Sequence, residues 1–64
     1  MDFNRRDFYS LPELEQLTGI GTPTIRGWIR NGTRGRKLTS YMMGGTYLVK
    51  KTDWERWVEE SKVA

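Results

Sequence analysis

This 64-residue chain contains neither histidine nor cysteine, so the side chains that most often do covalent or metal chemistry are missing. Without them there is no thiolate metal site, no disulfide framework, and no imidazole to act as ligand or general base. The carboxylates Glu55, Glu59 and Glu60 fall on what reads as an ordinary acidic helix surface. No glycine-rich loop followed by Lys-Ser or Lys-Thr is present to cradle a phosphate. The sequence therefore predicts no enzyme, no metal and no cofactor. What it does offer is cations. Residues 22–51 hold Arg26, Arg30, Arg34, Arg36, Lys37, Lys50 and Lys51 without one acid, a net charge of +7. The flanking segments, 1–21 and 52–64, carry −2 each, which leaves +3 overall. A basic block of this kind suits a polyanion, and nucleic acid is the commonest one. The plainer alternative is a solvated charged face.

Three groups of residues in the block could touch double-stranded DNA. The first is Thr22, Thr24, Arg26, Gly27 and Arg30. At helical spacing Arg26, Gly27 and Arg30 share with Pro23 the side opposite Ile25, Trp28 and Ile29, a side with no acid, and Thr22 and Thr24 sit at the helix N-terminus. Such a helix can lie in a major groove, where the arginine fork bonds guanine O6 and N7 and threonine meets a phosphate or a thymine methyl. Gly27 costs ~1 kcal/mol of helix stability relative to alanine. It either lets the backbone approach DNA or avoids a clash within the protein. The second group, Arg34, Arg36 and Lys37, lies in a loop with Gly35, where cations commonly bind phosphates. The third is a hairpin with Gly45 and Thr46 at its tip, thin enough for a minor groove, and Lys50 and Lys51 at its base.

These groups need elements to position them. Ser10-Leu11-Pro12-Glu13 reads as a capping box with proline in the first turn, and Gly19 as the left-handed stop of a short helix. Leu11, Leu14 and Leu17 are its expected buried stripe. Thr22-Pro23 opens a second helix, with threonine as cap, and Asn31-Gly32 closes it. Two short helices joined by about three residues that include glycine make a helix-turn-helix. Leu38 to Val49 reads as a hairpin around Gly44-Gly45. A two-residue turn would split Tyr41 and Met43 from Tyr47 and Val49. A three-residue turn, Gly44-Gly45-Thr46, would gather all four on one face and is the register expected, leaving Met42 and Leu48 outside. Thr52 to Glu55 predicts a second capping box and a last helix, with Trp54, Trp57 and Val58 on one face. The tryptophans, Trp28 included, read as core pieces rather than base-stacking platforms.

The fold class expected is α+β, one small winged helix-turn-helix over residues 1–64 in the order helix, helix, β hairpin, helix. Residues 1–8, which show no clear period, are expected to be mobile, as chain ends often are. A domain of this size buries only roughly 60% of its unfolded surface, so each large apolar residue matters. No apolar run approaches the ~18 residues of a membrane span, and no signal-peptide core is present, which predicts a cytoplasmic protein.

The stretch from Tyr9 to about Glu59 resembles the small MerR-like winged helix-turn-helix proteins of the excisionase family. The resemblance is carried by YSLPELEQLTGIG (9–21), TPTIRGWIRNG (22–32), GGTYLVKK (44–51) and TDWERWV (52–58), in that order. It implies an architectural DNA binder of a phage or integrated element that bends attachment-site DNA and steers an integrase towards excision. It further implies a major-groove second helix, with Thr22, Thr24, Arg26 and Arg30 facing the groove, and a minor-groove wing tipped by Gly45 and Thr46. Cooperative self-association on neighbouring sites would follow the same pattern, and exposed Met42 and Leu48 could serve it. The longer stretch holding Arg34, Arg36 and Lys37 departs from the family, so contacts from it are inferred from the residues alone. Two other functions fit the same sequence. One is a transcriptional regulator that uses the same contacts on a promoter. The other is a protein-interaction module that binds a repressor or an integrase.

Overall fold

The computed structural model describes residues 3–62. Its elements are β1 (Phe8–Ser10), α1 (Leu11–Thr18), α2 (Thr22–Arg30), β2 (Tyr41–Met43), β3 (Thr46–Lys50) and α3 (Lys51–Glu60), with a 3-10 turn at Arg5–Asp7 before them. The helix-helix-hairpin-helix order is the topology of a winged helix-turn-helix, and the class is α+β.

The first helix forms as its sequence dictates. Ser10 Oγ accepts from the Glu13 amide, Glu13 accepts from the Ser10 amide, and Gly19 ends the helix at φ 78°. Leu11 and Leu14 are buried, but Leu17 is 63% exposed. Steps of three residues drift by about 60° each, so Leu17 lies roughly 120° from Leu11 and leaves the stripe. Thr18 is exposed as well, and its hydroxyl donates to the Leu14 carbonyl and accepts from the Ile20 amide.

Two helix starts differ from expectation. The carbonyl of Gly21 receives the amides of Thr24 and Ile25, so Gly21 is the cap of α2 and Thr22 lies inside the first turn. In α3 the Thr52–Glu55 capping box does not form. Strand β3 runs to Lys50 because β1 pairs with it that far, and the helix starts at Lys51 with no side-chain cap.

That third strand is the main feature the sequence pattern did not foretell. β1 and β2 flank β3, both antiparallel, with Phe8 opposite Lys50 and Ser10 opposite Leu48. Residues 5–8, expected as mobile chain, thus belong to a turn and the start of a strand. Met1 and Asp2, the start of that stretch, lie outside the described residues. The hairpin is also shorter than expected, since 37–40 carry no strand and β2 begins at Tyr41.

The hairpin takes the two-residue turn, not the three-residue one. Met43 pairs with Thr46, Met42 with Tyr47, and Tyr41 with Leu48. Gly44 (φ 59°) and Gly45 (φ 78°) form a turn with both central residues left-handed, a conformation that glycine adopts without strain. The three-residue register rested on a single buried face, whereas this sheet has apolar residues on both. Val49 and Tyr47 face the main core. Leu48, 5% exposed, lies on the other face with Tyr41, where Phe8 packs edge-on to Tyr41 and stacks on Phe3. Leu48 is therefore buried rather than outward, while Met42 remains exposed.

The core gathers Leu11, Leu14, Ile25, Leu38, Val49, Trp54 and Trp57, with Trp28 half-buried against it. Trp28 stands 5.5 Å from Trp57 and 6.5 Å from Trp54, ring centroid to centroid. Val58, expected beside the tryptophans, is 50% exposed. No described helix is long and apolar enough to cross a membrane.

Candidate nucleic-acid interface

Helix α2 is built from the core outward. Ile25 is fully buried, Trp28 and Ile29 are partly so, and Arg26 and Arg30 are exposed on the far side. Neither arginine makes an ion pair among the described residues. Thr24 is exposed and Thr22 half-buried at the helix start. Between the arginines lies Gly27. A Cβ built there meets no atom within 4 Å, and the backbone is ordinary helix. Nothing inside the protein therefore requires glycine at this position, which removes the intramolecular clash as its reason.

The helix is closed by a loop of definite shape. Gly32, at φ 78°, donates its amide to the Gly27 carbonyl. A Cβ on Gly32 would collide with the Arg36 carbonyl oxygen, so both conformation and space demand glycine there. Thr33 and Arg36 exchange backbone hydrogen bonds of 2.7 and 3.0 Å around a tight turn. Arg34 (φ 53°) and Gly35 (φ 78°) are its central residues, and Arg34 is the one non-glycine residue with positive φ among those described. The Leu38 amide then bonds the Trp28 carbonyl, which returns the chain to α2.

This loop carries its cations towards α3. Arg36 donates to the carbonyl oxygens of Glu60 (3.1 Å) and Trp57 (3.2 Å) and to Ser61 Oγ (3.3 Å), at the C-terminal end of α3. There it bonds the Glu60 carbonyl and adds to the bonds that the Ser61 amide and hydroxyl already donate to the Trp57 carbonyl. Arg34 lines a cleft with Trp28, Val58 and Lys62, and Lys37 lines a smaller depression with Asp53, Arg56 and Glu60. At the other end of the hairpin, Lys50 ends β3, about 17 Å along the strand from the glycine turn. Lys51 stands 5.2 Å over the ring of Tyr9 and shares a hollow with Arg5, Arg6 and Glu13.

The acid-free block is thus continuous in sequence and divided in space. Its cations form three groups: Arg26 and Arg30 on α2, Arg34, Arg36 and Lys37 along α3, and Lys50 and Lys51 near β1. Gly45 and Thr46 lie at the exposed hairpin tip. Tyr47 and Val49 of the hairpin and Ile25 and Ile29 of α2 pack on one core, so the wing and the helix are braced against the same residues. In the sequence Arg5 and Arg6 sit among acids and give no basic signal. Only the fold brings them next to Lys51.

The fold is that of a winged helix-turn-helix, an architecture consistent with DNA binding. No protein-family model, no curated protein and no solved structure matches the chain. Among the described residues no group of three or more acidic, histidine or cysteine side chains is placed to hold a metal. Trp54 and Trp57, 9% and 6% exposed, have no free ring face on which a base could stack.

Proposed function

We propose that this chain is a sequence-specific double-stranded DNA-binding architectural protein of the excisionase type, which bends attachment-site DNA and steers an integrase towards excision. It acts by binding and not by catalysis. Helix α2 enters the major groove with Thr22, Thr24, Arg26 and Arg30, and the wing reaches the minor groove with Gly45 and Thr46. The observation that carries this reading is the outward face of α2. It presents two unpaired arginines on either side of a glycine that the protein itself does not need. A helix that gives up ~1 kcal/mol at Gly27 with no internal return has a reason outside the molecule, and close approach to DNA supplies one. The excision role rests on the resemblance of residues 9–59 to that family.

The test is a gel-shift titration on DNA from around the protein's own gene and the nearest integrase attachment site, with random duplex as competitor. Discrete shifts that survive competitor, and that R26A and R30A abolish, are the expected result. Smearing, or no shift at low salt, overturns the DNA reading. Repression of a reporter promoter in the absence of any recombinase would instead favour a transcriptional regulator.

A further inference from the structure

The cleft beside Arg34 lies on the opposite flank of α2 from the proposed DNA face. At 100° per residue, Trp28 is roughly 160° round the helix from both Arg26 and Arg30. The cleft is about 680 Å³ and runs between the α1–α2 connection, the 33–36 turn and the end of α3. Ile20, Trp28 and Val58 form its apolar side, and Thr18, Thr33 and Ser61 line it with them. Trp28 and Ile20 are only partly covered, and Val58 is half exposed, although it belongs to the same helix as the buried Trp54 and Trp57.

Cations outnumber acids on this cleft, with Arg34, Arg36 and Lys62 against Glu60. Glu60 is the acid on its lining, and it is engaged by Arg36, whose Nε lies 3.6 Å from the Glu60 carboxylate. Arg34 and Lys62 make no ion pair among the described residues, so two free cations border an apolar floor. Arg34 is held there by an unfavourable backbone conformation that glycine or asparagine would adopt more readily. An apolar trough with unpaired cations on its rim is complementary to a short acidic segment that carries an aliphatic or aromatic anchor. Duplex DNA does not fit, because the trough has aromatic walls and two cations where a phosphate backbone would need a continuous basic track.

We propose that this cleft is a docking site for an acidic peptide segment of a partner protein. The segment seats a leucine- or phenylalanine-type side chain against Trp28, Ile20 and Val58 and sets carboxylates on Arg34 and Lys62. The site does not depend on the DNA reading, since it lies away from the α2 face and the wing tip on which that reading rests. A protein that used both faces would hold DNA on one flank of α2 and its partner on the other.

The test is selection from a display library of roughly 12-residue, tryptophan-free peptides against the intact chain, followed by titration of the winners. All three tryptophans of the chain line the cleft, so their fluorescence reports occupancy directly. Selected peptides are expected to share an apolar anchor flanked by Asp or Glu and to give a saturable fluorescence change. Affinity should fall about tenfold or more in R34E/K62E and in V58E, with R26E/R30E unaffected. V58E alters a half-exposed side chain, and circular dichroism establishes that each variant is folded. The proposal is overturned if no sequence is enriched. It is equally overturned if the winners are acidic without an anchor and lose binding in R26E/R30E, since they would then be imitating DNA on the other face. Equal binding to R34E/K62E and the parent chain also sinks it.

Discussion

The guanidinium of Arg36 lies over the ring of Trp57, 4.4 Å from the ring centroid, while one of its Nη atoms donates to the carbonyl of that same residue. One side chain thus covers an aromatic face of the core and closes the end of α3. In a domain with so little interior, this cation is a structural residue, although its sequence neighbours suggest a phosphate ligand. Replacing it removes hydrogen bonds to helix carbonyls and a cation–π contact together. R36A is expected to lower the unfolding free energy by about 2 kcal/mol. At temperatures where the variant is still folded, DNA affinity should be unchanged. Urea denaturation and gel shift measure the two quantities separately, and a stable variant with weak DNA binding would reverse the assignment.

Replacing Gly27 with alanine should move two assays in opposite directions. The added methyl meets nothing in the protein, so G27A is expected to gain about 0.5–1 kcal/mol in stability. If the backbone at Gly27 approaches DNA, the same methyl weakens binding by about tenfold, or 1.4 kcal/mol. A more stable variant with full DNA affinity would remove the main support for α2 as the recognition helix.

Arg34 makes a similar contrast on the other flank. R34G relieves the left-handed conformation and is expected to raise stability by about 1 kcal/mol. Because Arg34 borders the cleft rather than the α2 face, DNA affinity should hold in this variant. Thermal unfolding followed by a DNA titration checks both halves, and a loss of DNA binding would return Arg34 to the DNA contact set.

The salt dependence of binding counts the phosphates engaged. All seven cations of the acid-free block would give a slope of log affinity on log salt near −6. With the block divided, Arg26, Arg30 and at most one further cation give roughly −2 to −3. Titrations across a series of salt concentrations distinguish the two. A slope steeper than about −5 would mean that the loop and strand lysines reach DNA after all.

Glu13 sets the acid limit of the first helix. The Arg5 guanidinium at 2.8 Å, then the Ser10 amide, hold its carboxyl down from 4.5 to about 2. A carboxyl that is more acidic folded than unfolded stabilises the fold fully above its unfolded value. That contribution is lost as pH falls from about 4.5 to about 2. The pair is exposed, so the effect is small and weakens with salt. Melting temperatures of parent and E13Q, compared at low ionic strength, should converge as pH drops through this window. A constant difference between them would show that the ion pair contributes nothing.

Local chemistry alone determined much of this protein. The Ser10–Glu13 capping box, the stops at Gly19 and Gly32 and the two helices around a short glycine turn are all short-range consequences of residue type and spacing. They need only neighbours within a turn or two of chain, and a sequence displays those directly. Whatever depends on partners far along the chain was decided by the tertiary structure. Phe8 to Ser10 became a strand only because β3 offered an edge. That pairing in turn carried β3 to Lys50, started α3 early, and buried Leu48 on a second apolar face that set the hairpin register. The basic block met the same limit. Seven cations consecutive in charge pattern were distributed over three surfaces, because Arg36 found helix carbonyls and a tryptophan ring 21 to 24 residues away. Linear charge records how many cations a segment holds, while packing decides which of them remain free to meet a partner.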